Sequence, residues 1–286
     1  MQQSSICYLN GDFLPLEEAR VSVLDRGFIF GDGIYEMIPA FSGHAFRLQE
    51  HLQRLQNSLD AVHIRNPHSL EEWSQLIHAV IEKNRTGHQA IYLQVTRGVA
   101  HRDHAFPDVS EPTVFIMSNP LPVSREVKPV SATILEDPRW NNCDIKAISL
   151  LPNVLLRQKA RERGAYEAIL IRDGLLTEGA ASNVFIVRDG IVRTSPKDSR
   201  ILPGITRDLI VELLHKHEIP CEEREITEAD VRAADEIWLT SSTREIVPVT
   251  QLDGVPVGTG ELGPVWRQTV ELYQSFKDTF TGAEAA

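Results

Sequence analysis

The sequence predicts an α/β (α+β) chain in two domains, and three observations carry that expectation. Stretches rich in aliphatic and β-branched residues are punctuated by Asn-Gly, Ser-Gly and Asp-Gly pairs, the turn chemistry of short antiparallel hairpins. Between them lie runs whose apolar residues recur every three or four positions, the spacing of a single helix face. A break with two prolines, "NPLPVSREVK", followed at once by Pro129, separates two such mixtures. We place an N-terminal α/β domain at 1–118, an inter-domain linker at 119–129 and a C-terminal domain, carrying Lys146, at 130–286.

In chain order, "ICYLNGDFLP" predicts a hairpin, and "GDGIYEMIPAFSGHAF" a strand turning at Ser-Gly. Leu48, Leu52, Leu55, Leu59 and Val62 form the stripe of a first helix. A second helix lies in "SLEEWSQLIHAVIEKN", with Ser69 as N-cap and Glu72 three residues on. Strands follow in "AIYLQVTRGV" and "PTVFIMS". Beyond the linker, "CDIKAISLL" reads as a strand. "NVLLRQKARERG" predicts a helix closed by Gly164. Two Asp-Gly hairpins come next, "YEAILIRDGLLTEG" and "NVFIVRDGIVRTS". A helix in "ITRDLIVELLHKH", a strand pair around "TSST" and a closing helix in "GPVWRQTVELYQSFKDTF" complete the chain.

Composition is that of an ordinary globular protein, 42% hydrophobic and 24% charged over 286 residues. A formal charge of −11 argues against nucleic-acid or anionic-membrane partners. Cys7, Cys143 and Cys221 stand far apart, which provides no disulfide or metal framework and fits a reducing compartment. With no signal-peptide pattern and no apolar run of membrane-spanning length, the expected location is cytoplasmic.

Lys146 raises the chemical question. Strand alternation puts it on one face with Ile148 and Leu150. Either its stem covers apolar surface while the ammonium reaches water, or the amine is partly desolvated and forms a Schiff base with a carbonyl. A pyridoxal 5'-phosphate site would need a phosphate cradle, an acid for the ring nitrogen and a carboxylate pocket. In "RILPGITRD", Gly204 precedes a helix whose first turn holds Ile205, Thr206 and Arg207, an anion-binding arrangement or a plain helix start. Hydroxyls of Thr240, Ser241, Ser242 and Thr243, and the guanidinium of Arg54, could serve the same anion. Glu178, before Gly179, could hold the ring nitrogen or be a turn glutamate in water. Tyr35, with Arg102 and His104 two residues apart in a loop, could grip a carboxylate. Arg97, at a strand end, is read as structural.

The stretch from "CDIKAISLL" to "EGAASNVFIV" resembles the core of the fold type IV (class IV) pyridoxal-phosphate aminotransferases: lysine, Gly-x-x-Glu-Ala block, Glu-Gly turn and Ser-Asn pair stand in family order. "DRGFIFGDGIYE" and "ILPGITRD" match the same family, so the likeness covers nearly the whole chain. The resemblance implies a small N-terminal α/β sandwich and a larger C-terminal pseudo-barrel. It also implies Lys146 as Schiff-base lysine, Glu178 at the pyridine nitrogen, Leu202 against the ring, and Arg54, Ile205, Thr206, Ser241 and Ser242 at the phosphate. Within the family, "RDH" and the tyrosine of "GIYE" are most similar to D-amino-acid aminotransferases. That likeness implies D-amino acids and 2-oxo acids as substrates and a homodimer with the active site at the subunit interface. Tyr35 would bind the carboxylate together with Arg102 and His104, these two reaching across the interface. Branched-chain L-aminotransferases, (R)-amine transaminases and aminodeoxychorismate lyases are the alternatives within the family; a phosphate-ligand binding protein is the alternative outside it.

Overall fold

The computed structural model describes residues 5–84, 87–122 and 127–281. Contacts divide the chain into two compact units, Met1–Val123 with Ile145–Ser149, and Ser124–Asp144 with Leu150–Ala286. The segment around Lys146, expected in the C-terminal domain, therefore groups with the first unit.

The first unit begins with the expected hairpin, β1 (Ile6–Leu9) and β2 (Asp12–Pro15), turning through Asn10 and Gly11 with positive φ of 50° and 111°. A short helix α1 (Arg26–Phe30) leads to β3 (Gly33–Phe41) and β4 (His44–Ala45). Helices α2 (Leu48–Ala61) and α3 (Leu70–Asn84) follow, then β5 (Gln89–Thr96) and β6 (Thr113–Pro120). The Ser69 and Glu72 capping pair is formed, each side chain meeting the other's backbone N–H, at 3.3 and 2.7 Å. All six strands lie in one antiparallel sheet, ordered β2-β1-β6-β5-β3-β4. One face, with Ile34, Ile38, Ile91 and Leu93, packs on Leu52, Leu55 and Leu59 of α2 and on Trp73 and Ile77 of α3. Burying each large side chain of this kind is worth about 1.5–3 kcal/mol, so the leucine stripe fixes which side of α2 faces the sheet.

The second unit contains β7 (Val130–Glu136), α4 (Leu151–Glu162), the hairpin β8 (Glu167–Arg172) and β9 (Leu175–Gly179), and the hairpin β10 (Asn183–Arg188) and β11 (Ile191–Thr194). Then come α5 (Ile205–Lys216), β12 (Cys221–Glu223), α6 (Glu228–Arg232), β13 (Glu236–Ser241), β14 (Glu245–Leu252), β15 (Val255–Pro256) and α7 (Pro264–Thr281). Its sheet runs β12-β11-β10-β13-β14-β7-β8-β9, with β15 on β14. It curls, because the turn after β9 brings Gly179 N–H to the Ser182 carbonyl at 2.6 Å, and Leu176 of β9 shares a core cluster with Val184 and Ile186 of β10. The expected α/β (α+β) architecture is found in both units.

Several elements differ from expectation. β6 continues through Pro120, so the first two residues of the expected linker belong to a strand; residues 123–126 lie outside the described chain. The run 143–151 forms no regular strand: a single bridge joins Ala147 to Ile34 of β3. β7 lies outside the expected elements: it pairs in parallel with β8 and β14, a long-range arrangement that carries no hairpin signal in the sequence. Among the described residues no helix is long and apolar enough to cross a membrane.

Candidate active site

In the first unit the extended run around Lys146 is held from both sides. Tyr35 N–H of β3 donates to the Lys146 carbonyl at 2.9 Å, and Lys146 N–H donates to Ser58 Oγ of α2 at 3.2 Å. Its Nζ stands 4.2 Å from the centroid of the Tyr35 ring, and the side chain is half-buried. Tyr35 itself packs on Tyr92, ring centres 5.7 Å apart; burial, then the nearby Tyr35, pushes the Tyr92 hydroxyl up to about 12.

Arg54 is buried on α2 and forks onto Glu36 of β3, with Nε to Oε1 and Nη2 to Oε2 both at 2.8 Å. His51, one turn earlier, places Nδ1 2.7 Å from Glu36 Oε2. Burial alone would raise the Glu36 pKa, but the Arg54 charge, its hydrogen bonds and that of His51 hold the carboxyl well below the usual range. For His51 burial wins: its pKa is lowered despite the bond to Glu36, and the charges of Arg54 and Lys146 push the same way. Burial thus favours the neutral imidazole, and Nδ1 is the ring nitrogen that faces the carboxylate.

Arg102 and His104 are exposed and sit together on Phe30, the guanidinium carbon 5.5 Å and the imidazole centre 5.4 Å from that ring's centroid. Among the described residues no hydrogen bond or ring contact joins this pair to Tyr35. The backbone of their loop is fastened by Arg26, which donates to the Asp103 carbonyl at 2.6 Å and to Asp32 at 2.7 Å. Arg97 shares Asp32, at 2.8 and 3.0 Å, and donates to the carbonyls of Val62 and His63, a bracing role.

In the second unit Glu178 is the penultimate residue of β9 and is only 5% exposed, so it is no solvated turn residue. One carboxylate oxygen accepts from Arg139 Nη1; the other accepts from Asn183 Nδ2 at 3.1 Å and Leu202 N–H at 3.0 Å. Burial pushes its carboxyl up to about 7, against the lowering effect of Arg139 and the Leu202 N–H. Asp137 holds Arg139 in place with bonds of 2.8 and 2.9 Å. Asn183 also donates to the Leu202 carbonyl at 2.8 Å, fixing the approach to α5. Ile205 and Thr206 open that helix after Gly204, and no side chain caps the turn. A Cβ on Gly204 would collide with Asn183 Oδ1, so the bare backbone here is required by Asn183. Ser241 ends β13 and Ser242 lies in the turn that follows. The preceding Thr240 hydroxyl is buried without a hydrogen-bond partner.

Each unit thus gathers its own group: Lys146, Tyr35 and Arg54 in one, and Glu178, Leu202, Ile205, Thr206, Ser241 and Ser242 in the other. Sequence reasoning missed Glu36, His51 and Arg139. Glu36 carried a signal, since alternation places a carboxylate between Ile34 and Ile38 on the core face.

The profile of the amino-transferase class IV family matches residues 33–252. A D-alanine aminotransferase of Staphylococcus aureus strain MW2 is 39% identical over 272 residues, covering 94% of this chain and 96% of the relative. That of Bacillus licheniformis is 38% identical over 268 residues, 93% and 95% of the two chains. Among solved structures, an Escherichia coli branched-chain amino acid aminotransferase superposes with a TM-score of 0.90 at 29% identity, covering 99% of this chain and 97% of that one. The branched-chain aminotransferase of the thermophilic archaeon Thermoproteus uzoniensis, solved with norvaline, gives 0.89 at 27% identity, with 98% and 96% covered.

Proposed function

Since the chain belongs to the class IV aminotransferase family, we propose that it is a D-amino-acid transaminase, moving the amino group of a donor such as D-alanine to 2-oxoglutarate in two half-reactions with pyridoxal 5'-phosphate. The observation that carries this is similarity along nearly the whole chain to D-alanine aminotransferases.

Three features support the cofactor. The Glu178 carboxyl, pushed up to about 7 by burial, is suited to sharing a proton with a pyridine nitrogen. The uncapped first turn at Ile205 and Thr206 and the partnerless Thr240 hydroxyl suit a phosphate. Lys146 is half-buried beside an aromatic ring, where an amine is less solvated. Bound, pyridoxal 5'-phosphate supplies the carbonyl that takes the amino group and the electron sink that makes the α-proton removable.

The residues divide the remaining work. Lys146 Nζ would take the proton from the substrate α-carbon and pass it to the former carbonyl carbon of the cofactor, and would carry out the same transfer backwards in the second half-reaction. Arg139 and Asn183 orient Glu178, which holds the ring-nitrogen proton. Arg54, Ile205, Thr206, Ser241 and Ser242 hold the phosphate, Leu202 packs on the ring, and Glu36 keeps the Arg54 fork in one orientation. Tyr35 binds the substrate carboxylate together with Arg102 and His104 of a second copy in a homodimer. The fixed position of that carboxylate relative to Lys146 sets the preferred hand.

The test is the visible absorption of the purified holoenzyme with D-alanine and, separately, L-leucine. Bleaching by D-alanine with formation of pyruvate is expected. Bleaching by L-leucine alone would transfer the assignment to the branched-chain activity named for the superposed structures.

A further inference from the structure

We propose that Arg157, Tyr166 and Arg244 form a subsite in the second unit for the distal carboxylate of a dicarboxylic substrate, such as 2-oxoglutarate or D-glutamate. This rests on the transaminase assignment for the identity of the ligand.

Two cations share one ring: the guanidinium carbon of Arg157 is 4.5 Å and that of Arg244 is 5.1 Å from the Tyr166 centroid. Tyr166 precedes β8, Arg157 comes from α4, and Arg244 from the turn between β13 and β14. Guanidiniums stacked on a ring keep their N–H edges for an anion. The donors are under-used. The Tyr166 hydroxyl is buried with no hydrogen-bond partner, and so is Arg157 Nη1, whose ion pair with Glu167 Oε1 at 3.3 Å lacks hydrogen-bond alignment. Arg244 is exposed and makes no ion pair among the described residues.

Glu167 does not supply the missing acceptor. Its oxygens already accept from Ala168 N–H at 3.0 Å and from Ser182 Oγ at 3.3 Å, and one carboxylate cannot offset two guanidiniums. A ligand carboxylate brings four acceptor positions and the second negative charge. Location favours a substrate group over a stray anion. Arg244 follows Ser242 by two residues, and the Ser182 hydroxyl on Glu167 belongs to the turn joining Glu178 to Asn183. The cluster therefore adjoins both chain reversals that carry the proposed cofactor contacts of this unit.

The holoenzyme should be assayed with a fixed donor and two acceptors, 2-oxoglutarate and 2-oxobutyrate, in wild type, Arg244→Ala and Tyr166→Phe. Arg244→Ala should raise KM for 2-oxoglutarate about tenfold or more, the usual effect of losing a charge-assisted bond. KM for 2-oxobutyrate should stay unchanged, and Tyr166→Phe should act in the same selective way, more weakly. Equal changes for both acceptors, or no change for either, would overturn the subsite. Calorimetry with glutarate and butyrate needs no turnover: glutarate should bind more tightly, and Arg244→Ala should close the gap. A persistent gap would also overturn the subsite, whereas absent transamination with a closing gap would count against the transaminase assignment alone.

Discussion

Tyr35 and Lys146 meet twice: the tyrosine N–H donates to the lysine carbonyl at 2.9 Å, and the lysine Nζ returns to 4.2 Å from the centre of that tyrosine's ring. The amine's position is thus set by β3 at both ends of the residue.

Because the bonds that fix Lys146 use its backbone N–H and carbonyl and not its amine, Lys146→Ala should fold normally and lose its chemistry. Transamination is expected to fall roughly a thousandfold or more, the scale of a lost proton-transfer group. Unchanged circular dichroism together with lost turnover would fit; normal turnover would remove Lys146 from the mechanism.

Glu178 should give the cofactor-free protein a distinctive pH dependence. Its carboxyl titrates at about 7 in the fold against an ordinary 4.5. The folded state then holds the extra proton between those values, so this contribution is full below pH 4.5 and is lost as pH rises to 7. It amounts to about 3 kcal/mol at most. Urea midpoints of wild type and Glu178→Gln across that window should diverge with this slope. Parallel curves would contradict it.

The buried cluster on α2 predicts the opposite sign. The Glu36 carboxyl is depressed, so its contribution is present above the ordinary carboxylate pKa and lost as pH falls through the lower, folded value. Glu36→Ala leaves the Arg54 and His51 groups without their shared carboxylate, a change that costs about 3–5 kcal/mol for buried pairs. Thermal melting should show that loss, and cofactor titration should show weaker binding because the Arg54 fork is released.

Glu236 makes a structural prediction away from the chemistry. From β13 it accepts from Val265 N–H at 3.0 Å, Trp266 N–H at 2.8 Å and Trp238 Nε1 at 3.1 Å, capping α7 from a neighbouring strand. Glu236→Ala should cost roughly 1–3 kcal/mol in denaturant unfolding while leaving KM values intact. An unchanged midpoint would show that water replaces the cap.

Local chemistry is legible in the sequence, and long-range pairing is not. The Asn10–Gly11 turn, the α2 leucine stripe and the Ser69–Glu72 cap are settled within a few residues, where spacing alone decides. Arg139 is invisible there because its partner Glu178 lies 39 positions on, brought to it only by the pairing of β7, β8 and β9. For the same reason alternation over 143–151 predicts a strand where only Ala147 makes a bridge. Resemblance, not spacing, singles out Lys146 and Glu178.

The chain passes between its two units three times, returning to the first for Ile145–Ser149 alone. No single cut separates the units. During synthesis the first unit lacks its last strip until Ser149 has left the ribosome, well after its sheet is complete at Pro120. Lys146 is thus among the last parts of that unit to be added, and a fragment ending at the first crossing could form the sheet without the amine.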